Sequence, residues 1–160
     1  MRSEPISSSL FVRNRAKLLA RLEPGDVALV CSGEEVIRSG DQFYPYRPHS
    51  DFFYLAGISR PGSVLVLAAD CEILFIRKAD EQTLQWSGSQ LSREQASELS
   101  GIREVRWLVE MPGDLKKLSG EYECILHNGP AQGIMEEHVP GKAGNSLSGH
   151  MQSLRMIKEP

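Results

Sequence analysis

The chain has 160 residues, 41% of them apolar and 24% charged, with a formal net charge of -3 at pH 7. These values describe one globular domain with its own core and exclude disordered and fibrous classes. The absence of a basic stripe excludes nucleic acid as a partner. Apolar runs such as Val64 to Ala69 are too short to cross a bilayer, which excludes a membrane partner of the spanning kind.

Ser7, Ser8 and Ser9 offer N-caps for a first helix, with Phe11, Leu18, Leu19 and Leu22 on its apolar side. The same periodicity turns Arg13, Arg15, Lys17 and Arg21 elsewhere. Pro24-Gly25 ends that helix. Asp26 to Cys31 is a continuous apolar run, the mark of a buried strand, and Glu34 to Arg38 reads as a second, short one. Arg38 to Gly57 follows, with Phe43, Tyr44, Tyr46, Phe52, Phe53 and Tyr54 set among charges and prolines. That mixture suits neither a plain strand nor a plain helix.

Pro61-Gly62 is a turn, and Ser63 to Ala69 with Glu72 to Arg77 predicts a hairpin reversing at Asp70. Thr83 to Gly88 is ambiguous. Ser92 with Gln95 fits a capping box opening a helix that Gly101 stops. Glu104 to Leu108 alternates as a strand, Pro112 to Leu118 predicts a helix, and Glu123 to Leu126 a last short strand. Asn128 to Gly149 reads mostly as loop. Leu147, Met151, Leu154 and Ile157 predict a closing helix. Strands alternating with helices, plus one hairpin, predict an α/β fold with a mixed sheet covered on both faces.

Few residues have the spacing of a catalytic centre. The four histidines form no HxH or HExxH pair, and there is no CxxC. Glu136-Glu137-His138 reads as solvated loop charge. Cys124 and His127 read as a core cysteine and a strand-end histidine, since sequence proximity does not make a thiol–imidazole pair. Cys31, Cys71 and Cys124, an odd count in apolar surroundings, predict a reduced, cytoplasmic protein, and no apolar signal region precedes the first helix. Trp86 reads as a partly buried ring capping the sheet, with an aromatic wall for a ligand or partner as the other reading. If Asp41, Arg47 and Asp51 only paired with one another, the rings between them would expose a large apolar patch. Such patches mark contact surfaces, so this segment reads as an interface or pocket edge.

Arg38-Ser39-Gly40-Asp41, Tyr44-Pro45-Tyr46-Arg47 and Ser50-Asp51-Phe52-Phe53-Tyr54-Leu55-Ala56-Gly57 resemble the N-terminal domain of Xaa-Pro aminopeptidases (aminopeptidase P). Phe11-Val12-Arg13-Asn14-Arg15 resembles the family's F-x-x-R-R start, with Asn14 a departure. Trp86-Ser87-Gly88 resembles its W-x-G, and Arg155-Met156-Ile157-Lys158 its R-x-I-K-S-P-x-E connector, with Glu159 replacing serine. The resemblance implies a ribonuclease H-like, three-layer α/β/α domain of the creatinase/prolidase type over residues 1–145. Residues 146–160 would connect to an absent C-terminal metallopeptidase domain, the chain being a truncation. That domain would hold two manganese ions on its own carboxylates and histidine and cleave the bond between an N-terminal residue and proline.

This chain would bind no cofactor and be inactive by itself. Its partners would be that catalytic domain, proline-containing peptides in the full enzyme, and further copies in a homo-oligomer. Asp41 and Trp86 would lie nearest the substrate's N-terminal end, Asp41 attracting the ammonium group and Trp86 walling the pocket. Arg47, Asp51 and Tyr54 would support that rim or the interdomain contact. A stand-alone peptide- or protein-binding module and a prolidase N-terminal domain are the alternatives.

Overall fold

A computed structural model describes residues 4–87, 90–131, 134, 137, 144–149 and 151. The element order is α1 (Ser8–Leu19), β1 (Asp26–Cys31), β2 (Ile37–Ser39), β3 (Gln42–Phe43), α2 (Ser50–Ala56), β4 (Val64–Ala68), β5 (Cys71–Ile76), α3 (Glu81–Ser87), α4 (Arg93–Ser100), β6 (Glu104–Trp107), α5 (Met111–Glu121), β7 (Cys124–His127) and β8 (Gly144–Ser146), with short 3₁₀ turns after β6 and β7. Six strands form one mixed sheet in the order β6-β5-β4-β1-β7-β8. Its pairs run parallel except β4, which is antiparallel to both neighbours.

β1, β4 and β5 occupy the sheet centre because their apolar runs can bury both faces. On one face Leu18 of α1, Phe52 and Leu55 of α2 and Ala96 of α4 pack on Ala28, Val30, Leu65, Leu67, Leu74 and Ile76. On the other, Met111 and Leu115 of α5 and Tyr122 pack on Val27, Leu29, Val66 and Phe75. The alternation assigns odd residues of β1 to one layer and even ones to the other, and the result is the expected three-layer α/β/α fold. Ala68 pairs with Cys71, which closes the expected hairpin over Ala69 and Asp70. Tyr122 Oη donates to Asp70 Oδ1 at 2.7 Å and fixes that turn to the α5 side.

Several expectations need correction. The second short strand is Ile37–Ser39, and it pairs with β3 in a separate two-stranded hairpin. Thr83 to Gly88 falls mainly in a helix, with Gly88 outside the described residues. Part of the aromatic segment is helical: α2 buries Phe52, Leu55 and Ala56 and ends at Gly57 in the left-handed conformation, φ 68°. A Cβ at Gly57 would overlap the Phe11 ring, so the position requires glycine twice over. Gly144–Ser146, within the stretch read as loop, is the sixth strand, and Leu147 and Met151 are buried in the core. Residues 148, 149 and 151 are helical, and the rest of the predicted closing helix lies outside the described residues.

The largest departure concerns Arg15. It is fully buried with Phe11, Asn14 and Leu18 on the packed face of α1. Nη1 donates to Leu55 O at 2.7 Å and to Ser100 O at 2.8 Å, and Nε donates to Glu72 Oε1 at 3.1 Å. Leu55 and Ser100 are among the last residues of α2 and α4, whose carbonyls lack helical partners and carry the negative dipole end. Asn14 Nδ2 adds a bond to Tyr54 O at 2.8 Å. Burial lowers the Arg15 pKa, and Glu72 opposes that shift. Arg15→Met is expected to destabilise the fold by about 3 to 5 kcal/mol, because it orphans two buried helix ends and the Glu72 carboxylate. Glu72→Gln is expected to cost about 1 kcal/mol or less, since that carboxylate is partly solvated. Urea unfolding of both variants measures the difference.

Candidate functional site

The parallel strands β1, β5, β6, β7 and β8 all end at one edge of the sheet, where α/β folds place their ligands. From that edge the chain leaves β1 at Ser32 and returns at Ser63. The exit and return are tied together: Ser32 N donates to Ser63 O, Ser63 N to Ser32 Oγ and Gly62 N to Gly33 O, each at 2.9 Å. Within this excursion Ile37 pairs with Phe43 and Ser39 with Gln42. Gly40, at φ 52°, permits the tight turn that puts Asp41 at the exposed tip. Val36, Ile37, Phe43 and Tyr44 are half or more exposed, and the Arg38 guanidinium lies 5.9 Å over the Tyr44 ring. The expected apolar patch therefore exists, on this hairpin.

Past the hairpin the excursion turns inward. His49 caps α2, its Nδ1 accepting from Asp51 N at 3.3 Å. An Nδ1 that accepts carries no proton, so its 3.9 Å contact with Asp51 Oδ2 is not an ion pair in that tautomer. Asp51 is 7% exposed. Arg47 and Tyr54 line the same groove between α1 and α2, about 570 Å³, whose other walls include Leu10, Phe11, Pro48 and Phe53. Phe11 and Phe53 meet edge to face at 5.9 Å. The fold thus brings Arg47 and Tyr54 to one groove, buries Asp51 in the first turn of α2, and holds Asp41 out on the hairpin. Trp86 lies near the end of α3, reached from the C-terminal end of β5.

Among the described residues at this edge, Asn128 and His127 bond to backbone groups. Asn128 Oδ1 accepts from Cys31 N at 3.0 Å and Nδ2 donates to Cys31 O at 2.8 Å, so one side chain replaces a strand residue beside β1. Cys124 and His127 sit at opposite ends of β7, on opposite faces by the two-residue alternation, and His127 Nδ1 contacts Asn128 O at 3.1 Å. They form no thiol–imidazole pair. Among the described residues no three His, Cys, Asp or Glu side chains converge on a metal position, and of Glu136-Glu137-His138 only the exposed Glu137 is described. No helix among the described residues is long and apolar enough to cross a membrane. Tyr46, Ser32 and Asn128 carry the excursion, and spacing gives no signal for them because their side chains bond to backbone groups, most of them distant in sequence.

With this geometry in place, comparison with known proteins assigns the family. The model for "Aminopeptidase P, N-terminal domain" matches residues 11–126, and the chain belongs to that family. It is 35% identical over 127 residues to the Xaa-Pro aminopeptidase of Escherichia coli (strain K12), covering 76% of this chain and 29% of that protein. The Haemophilus influenzae Xaa-Pro aminopeptidase is 30% identical over 121 residues, covering 73% of this chain and 28% of that protein. The structure of E. coli aminopeptidase P with the inhibitor Pro-Leu superposes with a TM-score of 0.83 at 27% identity, over 98% of this chain and 40% of that one. A Bacillus anthracis chain described as an aminopeptidase P gives a TM-score of 0.85 at 22% identity, which shows the shared fold. This chain therefore spans under a third of the curated relatives' length and corresponds to their N-terminal part.

Burial, with Glu34 nearby, pushes the Cys31 thiol up to about 12, and burial also raises Cys71. Raised values keep both thiols protonated and unreactive at neutral pH. For Cys31 the unfolded chain loses its proton near pH 9 and the folded chain only near 12, so folding stability falls as pH climbs through that window. Cys31→Ala is expected to flatten that alkaline slope, measured as urea midpoints between pH 8 and pH 11, roughly the window in which the two states differ in bound protons.

Proposed function

We propose that this chain is the non-catalytic N-terminal domain of a manganese-dependent, cytoplasmic Xaa-Pro aminopeptidase, which removes an N-terminal residue preceding proline. In this reading the 32–63 excursion forms the rim of a substrate pocket completed by a C-terminal metallopeptidase domain of the same or a neighbouring subunit in a homo-oligomer. The supporting observation is the hairpin, an exposed apolar surface with a carboxylate at its tip, in a chain of this family. Exposed apolar surface of this kind is covered in the working protein.

Metal ions bound by residues outside this chain would supply Lewis-acid activation of the scissile carbonyl and of water. This chain's groups bind and orient. Asp41 attracts the substrate ammonium, an attraction worth about 1 kcal/mol in bulk water and several times that once the pocket excludes solvent. Trp86 walls the pocket. Arg47, Asp51 and Tyr54 hold the base of the rim, with Tyr54 and Arg47 presenting the α1–α2 groove toward the adjoining domain.

The chain by itself is expected to leave Xaa-Pro peptides intact with added manganese, and to cleave them when joined to the metallopeptidase domain. In the joined enzyme Asp41→Asn is expected to raise KM about tenfold or more, the size of a lost charged hydrogen bond. Cleavage by the chain alone would overturn the non-catalytic assignment, and an unchanged KM in Asp41→Asn would overturn the rim.

A further inference from the structure

We propose that Tyr46 is a positioning residue that fixes the direction in which the β2–β3 hairpin presents Asp41; this rests on the rim reading above. The hairpin has only two strands, of three and two residues, and sheets that small do not hold an orientation unaided. Its own ladder extends by one bond, Tyr44 N to Val36 O at 2.9 Å, which joins hairpin to hairpin and not to the domain. The Tyr46 side chain makes the link to the domain. Its Oη lies 3.2 Å from Ser32 O and 3.1 Å from Arg60 O, so a single proton is shared between the chain leaving β1 and the chain returning to β4.

The surroundings favour this role over a passive one. Ser32 O also accepts His49 N at 2.8 Å, which brings the start of α2 to the same carbonyl. Three segments of the excursion therefore meet at one point: its exit, its return, and the link from hairpin to α2. Tyr46 is half-buried, and burial raises its pKa, which keeps the phenol a donor throughout the neutral range. On the far side the Arg77 guanidinium packs over Gly62 and pairs with Glu34 at 2.6 Å, but both side chains are more than half exposed and such a pair is weak. The directional constraint falls on Tyr46.

The test is Tyr46→Phe, which keeps the ring and removes the donor. In this chain, amide exchange of residues 36–47 is expected to accelerate about fivefold to tenfold, the equivalent of one lost hydrogen bond, while β4 and β5 exchange unchanged. In the enzyme joined to its catalytic domain, Tyr46→Phe is expected to raise KM with kcat unchanged, and to add nothing in an Asp41→Asn background. Unchanged exchange overturns the anchoring role. Faster exchange with a KM effect from Asp41→Asn but none from Tyr46→Phe overturns the positioning role and leaves the rim intact. Faster exchange with no KM effect from either variant overturns the rim reading, and the proposal with it.

Discussion

One buried guanidinium sets the arrangement from which the candidate site grows. Arg15 has no exposed surface, yet it reaches last-turn carbonyls of two helices and a carboxylate on the central sheet. Removing a charge from water is expensive, and the penalty is offset only because each acceptor is itself in need of a donor. The short α2, seven residues long, is too brief to be stable by propensity and takes its place from this contact, from Asn14 and from Phe52 and Leu55 in the core. Since α2 lies within the excursion that runs from Ser32 to Ser63, the placement of that excursion traces back to α1.

This dependence explains why the domain carries so much polar machinery at one sheet edge. Ser32, Asn128 and Tyr46 each hydrogen-bond to backbone groups at the end of β1 or on the excursion. The outer surface of the excursion is apolar instead, with Val36, Ile37, Phe43 and Tyr44 turned to solvent. An inner side rigidified by hydrogen bonds and an outer side left apolar is the division expected of a preformed contact surface.

Much of the fold was legible in the sequence. The apolar runs of β1, β4 and β5 bury both faces and cannot lie elsewhere, and Ser92 with Gln95 closes the capping box that spacing predicts. What periodicity missed is what periodicity does not encode. It placed Arg15 with Arg13 and Lys17 on the outer side, because a charged side chain is assigned to water unless its partners are known, and these come from residues 55, 72 and 100. It missed α2 because about two turns of mixed rings and charges give no repeat to read. It missed β8 because a three-residue edge strand in a Gly-rich stretch has almost no pattern of its own. Of the residues expected at the site, Asp41, Arg47, Asp51 and Tyr54 lie on the excursion, a segment that stood out in the sequence, whereas Trp86 lies apart from it on α3. Their placement follows from the hairpin and from α2, and neither was visible beforehand.

The central claim is that this domain's hairpin borders a peptide pocket whose chemistry lies in another domain. Photo-crosslinking from position 41 in the joined enzyme, with a non-hydrolysable Xaa-Pro peptide, addresses it directly. The account predicts a covalent adduct between position 41 and the peptide's first residue that excess unlabelled peptide suppresses. Adducts only with solvent, or peptide capture that competition leaves unchanged, would contradict it.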